Sequence, residues 1–190
     1  MYQHEFKDEI VGERIVLKRH QVTLEEAQQL FALTDESRSC LRVFLPWADF
    51  THKVEDSFAF IYECNKGWNE KDKAEYSIWL KDSNTLIGGI GVMHFDKNDS
   101  AEIGYWLGTR FQGKGYMQEA VRLIEDAYLP NLIRLIIRND VKNIKSANIP
   151  FKLGYHLDGI MRSAHKYPDD HYGDVNVWSK LRSEWQKQRD

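Results

Sequence analysis

The stretch of this chain with the clearest potential for chemistry is a glycine-rich turn between two predicted elements. Residues 102–107 read Glu-Ile-Gly-Tyr-Trp-Leu, an aromatic and aliphatic segment typical of a strand. From Gly115 onward, apolar residues recur at three- and four-residue steps and indicate a helix. The first amides of a helix have no intrahelical partner, and glycine lets an anion approach the backbone. The turn Gln112-Gly113-Lys114-Gly115 therefore predicts a phosphate site.

Three kinds of phosphate ligand compete for this turn. Residues 108–114 match the start of an ATP- or GTP-binding loop, but Gly115 stands where that loop needs a Ser or Thr for Mg²⁺. A dinucleotide fingerprint fails because Gln118 occupies the place of its third glycine. The third pattern, Gln/Arg-x-x-Gly-x-Gly/Ala, is carried by Gln112, Gly115 and position 117, where Met117 departs from the usual small residue. This pattern resembles the loop that binds the pyrophosphate of coenzyme A in the GNAT acetyltransferases. The plain alternative is a tight strand-to-helix turn that binds nothing.

Polar residues in two other segments are candidates for a site. Ser146 follows Asn143 by three residues, so if Asn143 caps a helix, Ser146 lies one turn on and on the same side. The alternative for Ser146 is an ordinary first-turn residue. The group His165, Asp169 and His171 lies on a polar loop and lacks a fourth ligand, so we predict no metal site.

Composition and charge limit the class of protein. The chain has 190 residues, 42% hydrophobic and 29% charged, which predicts one globular domain spanning residues 1–190. A formal net charge of −3 does not indicate nucleic-acid binding, which requires a basic surface. The two cysteines lack the spacing of a zinc site or a redox motif. The N-terminal segment lacks the apolar stretch of a secretion signal. The aliphatic run near residues 132–137 is too short to span a bilayer. We therefore expect a cytoplasmic protein with no membrane or nucleic-acid partner.

The elements that must position these residues follow from periodicity and turn signals. A capping box, Thr23 to Glu26, opens the first helix, and an irregular segment over 40–51 presents Trp47 on a loop or buries it in the core. Pro150 falls near the first turn of a short helix over 143–153, which Gly154 ends. The remaining predictions are a second helix over 54–68 and strands over 10–20, 75–80, 86–95, 133–138 (aliphatic and buried on both faces), 155–165 and 172–180.

Element order and motifs together resemble the GNAT fold, and within it the RimJ/RimL-type N-terminal acetyltransferases, over nearly the whole chain. The motifs that carry the resemblance are the glycine turn, Phe-Leu-Pro-Trp at 44–47, Glu-Ile-Gly-Tyr-Trp-Leu at 102–107, Asn-x-x-Ser at 143–146, Lys-Leu-Gly-Tyr at 152–155, Gly-Ile-Met-Arg at 159–162 and Asp-Val at 174–175. The resemblance implies an α+β fold. It has a single mixed, mostly antiparallel sheet of about seven strands with a splayed central pair, flanked by about four helices.

The resemblance also implies acetyl-CoA as co-substrate and no metal. Pantetheine would lie against the central strand at Tyr105, Trp106 and Leu107. The pyrophosphate would lie on the backbone amides of the turn, and the cofactor-binding residues would be Gln112, Gly113, Lys114, Gly115, Tyr116, Met117, Asn143 and Ser146. By the same resemblance, the Ser146 hydroxyl would protonate the thiolate of coenzyme A. His165 stands where some relatives carry a glutamate base, and its alternative is a solvated loop histidine.

The resemblance implies an amine as acceptor, and the acidity of that amine limits the catalytic machinery that the site needs. An α-amine with a pKa of about 7.8 is roughly one third neutral at pH 7.5, whereas a lysine with a pKa of about 10.4 is only about 0.1% neutral. Glu102 alternates with Gly104 and Trp106 on one face, and it is expected to order a water or bind the incoming ammonium. Trp47 would form an aromatic wall. The alternative for Glu102 is an exposed charge at a strand end.

Three functions remain open at this point. The resemblance favours a protein N-terminus, such as that of a ribosomal protein, and related proteins often form homodimers. A small-molecule acetyltransferase acting on a polyamine, aminoglycoside or amino acid would share the fold, but would need an enclosed acidic pocket. A non-catalytic CoA-binding module is the alternative of another class, and Asn143 and Ser146 argue against it.

Overall fold

The computed structural model describes residues 5–189, so the first four residues of the polar N-terminal segment lie outside it. Eight strands form one sheet in the order β1-β2-β3-β4-β5-β6-β8-β7. The strands are β1 (Glu9–Val11), β2 (Ile15–Arg19), β3 (Ala74–Leu80), β4 (Thr85–Met93), β5 (Ser100–Leu107), β6 (Arg134–Asp140), β7 (His156–Lys166) and β8 (Tyr172–Leu181). The helices are α1 (Leu24–Leu41), α2 (Val54–Asn69), α3 (Tyr116–Tyr128), α4 (Ile144–Lys152) and α5 (Arg182–Lys187), with 3₁₀ turns at Pro46–Asp49 and Thr109–Phe111.

The predicted order of elements is confirmed, with two additions. The expected strand over 10–20 divides into β1 and β2, because the chain turns at Gly12, whose N–H bonds the Ile15 carbonyl at 2.9 Å. The six-residue α5 is too short for its periodicity to be recognised in the sequence. Among residues 5–189, none of the helices is long and apolar enough to cross a membrane.

The sheet opens between its two central strands. β5 and β6 are parallel, and they pair only from Ser100 opposite Arg134 to Ile103 opposite Ile137. Beyond that point β5 stays paired with β4 up to Leu107, and β6 stays paired with β8 up to Asp140. The predicted splayed central pair is therefore confirmed, with the opening between residues 104–107 and 138–140.

The expectation that β6 is buried on both faces is wrong. Leu135, Ile137 and Asn139 are buried, whereas Arg138 between them is exposed. The exposed face of β6 borders the opening, so only one of its faces contributes to the core.

The helix α1 begins with half of the predicted capping box. The Thr23 hydroxyl accepts the Glu26 N–H at 3.3 Å, as expected for an N-cap. The reciprocal bond is absent because the Glu26 carboxylate is used elsewhere: it accepts the Gln21 N–H at 2.9 Å and bonds His20 Nδ1 at 2.6 Å. Both His20 and Glu26 are buried, so this pair ties the chain after β2 to the start of α1.

The short helix α4 departs from the sequence prediction at its proline. Asn143 caps it as expected, with Oδ1 accepting the Ser146 N–H at 3.1 Å. Pro150, however, lies in the last turn rather than near the first. Gly154 has φ +75° and follows the helix, as predicted for a terminating glycine.

Candidate active site

The opening between β5 and β6 forms a cleft of about 1260 Å³. The unpaired end of β5 forms one wall, and the other walls come from the α1–α2 connection, the glycine turn, the start of α4 and the end of β7. Most of the predicted site residues therefore lie around one cavity, although they come from segments far apart in the chain. The lining includes Glu102, Tyr105, Trp106, Leu107, Gln112, Gly113, Gly115, Tyr116, Met117, Asn143, Ser146 and His165.

The edge of β5 offers backbone groups to the cleft. Beyond Ile103 this strand has no partner on the β6 side, so the polar groups that point there must find other partners. The Gln112 side chain donates Nε2 to the Leu107 carbonyl at 3.2 Å and so occupies one of them. An extended ligand with amide groups is the natural partner for the rest.

The glycine turn has the backbone geometry of an anion site. Gly113 and Gly115 have φ of +76° and +82°, values that side chains rarely adopt. A Cβ built on Gly113 would meet nothing within 4 Å, so the space beside the turn is open. The first helical bond of α3 runs from the Glu119 N–H to the Gly115 carbonyl, which leaves the preceding amides without an intrahelical acceptor. The turn can therefore accept phosphate oxygens from the cleft.

Lys114 is the one member of the predicted turn that does not line the cleft. Its ammonium lies 5.9 Å from the Phe111 ring, and its carbonyl accepts Arg14 Nη1 at 2.9 Å. The same arginine bonds the Glu119 carboxylate through Nε at 2.8 Å and lies 4.8 Å from the Tyr116 ring. Arg14 thus holds the turn against the first turn of α3, a role that sequence reasoning missed because one hundred residues separate the two segments.

Ser146 is positioned by two segments of the chain. Its N–H is held by the Asn143 cap, and its Oγ lies 3.2 Å from the hydroxyl of Tyr105 on β5. Pro150 has no N–H to give to the Ser146 carbonyl, and the Tyr105 hydroxyl donates to that carbonyl at 3.2 Å. Burial raises the pKa of Tyr105 to about 12, so this phenol stays protonated at neutral pH. Pro150, which the sequence analysis placed near the first turn of α4, therefore leaves the Ser146 carbonyl free to accept the Tyr105 hydroxyl.

Glu102 and Trp106 line the cleft, whereas Trp47, the predicted aromatic wall, packs against Trp106 without lining it. The Glu102 carboxylate bonds Arg138 Nε of β6 at 3.3 Å, so its negative charge has a cation beside it rather than standing free at a strand end. Trp47 lies on the 3₁₀ turn at Pro46–Asp49 and remains 38% exposed. Its ring meets that of Trp106 edge to face at 5.5 Å. Trp47 is therefore displayed beside the cleft rather than buried in the core.

His165 is on β7 rather than on a solvated loop. Its Nε2 is buried and has no hydrogen-bond partner among the described residues, and its ring packs edge-on against Tyr167 at 4.5 Å. Tyr167 donates its hydroxyl to Asp140 Oδ2 at 2.7 Å. Within residues 5–189, no group of three or more His, Cys, Asp or Glu side chains could hold a metal ion.

Sequence reasoning missed several residues of this site. Arg138, Asp140 and Tyr167 line the cleft, but the sequence analysis assigned Arg138 only to a strand, Tyr167 only to a polar loop and Asp140 to no element. The splay predicted from the resemblance could have identified Arg138 and Asp140, because the end of the second central strand must border the opening. No sequence signal brings Tyr167 to the cleft, since its position depends on how the β7–β8 hairpin folds over β6.

Comparison with known proteins shows which family this chain matches. A family model described as "Acetyltransferase (GNAT) domain" matches residues 14–156. A ribosomal-protein-serine acetyltransferase of Escherichia coli (strain K12) is 27% identical over 171 residues, covering 87% of this chain and 92% of the relative. A probable N-acetyltransferase YjcK of Bacillus subtilis (strain 168) is 29% identical over 156 residues, covering 80% and 85%.

Solved structures share the fold. The microcin C7 self-immunity acetyltransferase MccE, solved with acetyl-CoA and AMP, superposes with a TM-score of 0.84 at 26% identity, covering 89% of this chain and 93% of that one. RimL, a ribosomal L7/L12 α-N-protein acetyltransferase solved with coenzyme A, superposes with a TM-score of 0.84 at 22% identity, covering 93% and 99%. With a family model that matches most of its length, this chain belongs to the GNAT acetyltransferase family.

Proposed function

We propose that this protein transfers the acetyl group of acetyl-CoA to the N-terminal α-amine of a protein, such as a ribosomal one, by direct attack in a ternary complex. The observation that carries the proposal is the cleft itself, which joins a bare glycine turn, an unpaired strand edge and a hydroxyl held at 3.2 Å from Tyr105. The curated relative in Escherichia coli, whose name gives a ribosomal-protein serine as its target, supports this class of acceptor.

The chain's own groups suit coenzyme A along the whole cleft. The amides at residues 113–117 are available to the pyrophosphate, because glycine φ angles turn them outward and nothing stands beside Gly113. The unpaired edge at Tyr105, Trp106 and Leu107 is available to the pantetheine amides. One N–H of this edge would also polarise the thioester carbonyl and stabilise the oxyanion that forms on attack.

Acetyl transfer needs a neutral amine and a proton for the leaving group. The amine nitrogen forms a bond to the acetyl carbon, and the carbon–sulfur bond breaks. In this proposal the Ser146 hydroxyl gives its proton to the departing thiolate. Tyr105 holds that hydroxyl in place, since its phenol contacts both the oxygen and the carbonyl of the same residue. His165, with its free Nε2, is auxiliary.

The acceptor would enter on the side of the tryptophans. Glu102, held beside Arg138, would receive the ammonium of the incoming N-terminus before it loses its proton. Trp47 and Trp106 would flank an extended peptide. A small first residue such as Ser or Ala would fit where the β5 backbone crowds the thioester.

A small amine is the second candidate acceptor. The observation in its favour is the likeness to MccE, a self-immunity acetyltransferase whose structure contains AMP besides acetyl-CoA. A small molecule with a free amine would use the same cleft and the same leaving-group chemistry. The homodimer implied by the family resemblance also stays a prediction.

The acceptor can be decided by one comparison of kcat/KM. The acceptors are peptides with a free Ser or Ala N-terminus, the same peptides with a blocked N-terminus and a free lysine, and spermidine. We expect the free N-terminus to be preferred, since the α-amine is far more often neutral than a lysine at the same pH. A preference for spermidine or for lysine would reject the N-terminal assignment and leave the acetyltransferase assignment in place.

A further inference from the structure

The peptide group between Lys114 and Gly115 is held by a side chain from outside the glycine turn. Its carbonyl accepts Nη1 of Arg14, the residue before β2, at 2.9 Å. Because a trans peptide group is planar, its carbonyl and its N–H point in opposite directions. Gly115 lines the cleft, whereas Arg14 does not. With the carbonyl turned toward Arg14, the Gly115 N–H therefore points away from this arginine.

The direction of this N–H matters because nothing else in the described chain uses it. Across residues 5–189, no backbone or side-chain acceptor bonds the Gly115 N–H. Gly113 and Gly115 both have positive φ, and glycine adopts positive and negative φ about equally readily. The peptide group between Lys114 and Gly115 could therefore rotate and turn its carbonyl toward an arriving anion. The bond from Arg14 favours the orientation that offers the N–H instead.

Arg14 is itself fixed against the first turn of α3. The Glu119 carboxylate accepts Nε of Arg14 at 2.8 Å, its backbone N–H at 2.8 Å and the Ile15 N–H at 3.3 Å. The guanidinium lies 4.8 Å from the centre of the Tyr116 ring. A guanidinium presents its donors in a rigid planar fork, so fixing Nε also fixes the direction of Nη1. The two segments are tightly packed, since a Cβ built on Gly12 would be 2.8 Å from Glu119 Oε1.

We propose that Arg14 is a positioning residue for coenzyme A: by holding the Lys114 carbonyl, it keeps the Gly115 N–H directed at the pyrophosphate. This inference rests on the proposed function, which places the pyrophosphate on the glycine turn. Arg14 acts through the backbone rather than by touching the ligand, because it does not line the cleft and its charge is paired with Glu119. Its contribution is therefore to binding and not to the chemistry at the thioester.

Arg14→Gln should raise KM for acetyl-CoA and leave kcat almost unchanged. The pyrophosphate is bound in the same way before and during the reaction, so a weaker contact with it lowers affinity without slowing the chemical step. We expect KM to rise about 10-fold, which is the contribution of one N–H donated to a charged acceptor. S-acetylpantetheine carries the same thioester but ends before the pyrophosphate. Its kcat/KM should therefore be the same in Arg14→Gln as in wild type.

The test compares acetyl-CoA with S-acetylpantetheine, using a Ser-initiated peptide as acceptor, in wild type, Arg14→Gln and Arg110→Gln. Arg110 is the matched control, because it is a cation close to the turn in sequence that pairs with Glu36 at 3.0 Å and does not line the cleft. Arg110→Gln should keep the wild-type KM for both thioesters. An unchanged KM for acetyl-CoA in Arg14→Gln would overturn the proposal. An equal loss with both thioesters would also overturn it, since that result indicates general damage to the fold.

A double variant separates positioning from charge. Arg14→Gln leaves the Glu119 carboxylate without its cation, and that negative charge would repel the pyrophosphate. Arg14→Gln combined with Glu119→Gln removes the charge as well, and it should still bind coenzyme A about 10-fold more weakly than wild type. Recovery of the wild-type affinity would show that repulsion alone caused the loss. Isothermal titration calorimetry with coenzyme A needs no acceptor, so these affinities decide the role of Arg14 even if wild type acetylates no amine and the proposed function fails.

Discussion

The glycines of the turn line the cleft and those of β4 lie one strand behind it, and the two groups are there for opposite physical reasons. The glycines of β4, Gly88, Gly89 and Gly91, are crowded: a Cβ on any of them would lie within 3 Å of a neighbouring atom. The glycines of the turn, Gly113 and Gly115, have no atom closer than 3.4 Å to a built Cβ, but both have positive φ. In the strand, glycine provides space; in the turn, it provides a backbone conformation.

The difference shows how the sheet behind the cleft and the turn that lines it are made. On the β4 side, the missing side chains are filled by groups from neighbouring strands: the Trp106 carbonyl meets Gly88, the Trp106 ring covers Gly89, and the Glu75 carboxylate covers Gly91. On the turn side, nothing fills the space, and the backbone amides face the opening. We therefore expect substitutions in the strand to act mainly on stability and substitutions in the turn to act mainly on binding.

The largest effect on stability is expected at Gly88. A Cβ at this position would lie 2.3 Å from the Trp106 carbonyl oxygen and 3.0 Å from the Leu107 Cα, and neither backbone atom can move without breaking the β4–β5 ladder. Gly88→Ala should therefore lower the free energy of unfolding by about 3 kcal/mol, at the upper end for overpacking. Urea unfolding measures this, with Gly91→Ala as control, which should cost about 1 kcal/mol or less because a side chain yields. Equal losses in both variants would contradict the comparison.

The next effect concerns catalysis on the open side. Ser146→Ala keeps the backbone N–H that Asn143 caps, so α4 should stay in place. It removes the proton for the thiolate, which is needed only as the bond breaks. We expect kcat to fall about 100-fold, with little change in KM for acetyl-CoA.

His165→Ala is the companion variant for this measurement. Because His165 is auxiliary in the proposed mechanism, its loss should lower kcat by less than the loss of the serine hydroxyl. If His165→Ala abolished turnover and removed an acid limb of the pH profile, the histidine would be the base and the ranking would be reversed.

The smallest effect is expected in the turn. Gly115→Val should weaken coenzyme A binding about 10-fold, because a β-branched residue at φ +82° is strained by about 1–2 kcal/mol. Contact with the rest of the protein is not the cause, since the built Cβ is 3.4 Å from Arg14 Nη2, an ordinary separation. Isothermal titration calorimetry measures the affinity. Gly115→Asn separates backbone strain from steric exclusion of the ligand. Asparagine tolerates positive φ, so this variant should bind coenzyme A nearly as tightly as wild type. A loss of affinity as large as that of Gly115→Val would point to steric exclusion.

Much of the fold was predictable because its signals are local. The Asn143 cap, the terminating Gly154 and the glycine turn each depend on a few consecutive residues and their own backbone bonds. Predictions failed where a group outside the local signal competed with it. Glu26 left its capping box for His20 and Gln21, and the aliphatic β6 exposed Arg138 at the opening rather than burying it.

The sequence by itself determined the order of elements, the turn that faces the cleft and the candidate hydroxyl of Ser146, because periodicity, capping and positive φ are properties of short segments. Only the tertiary structure decided which groups surround them. Arg14 reaches the turn across one hundred residues, and Tyr105 meets Ser146 across forty-one. Such contacts depend on strand register and on the splay of the sheet, and no local pattern encodes them.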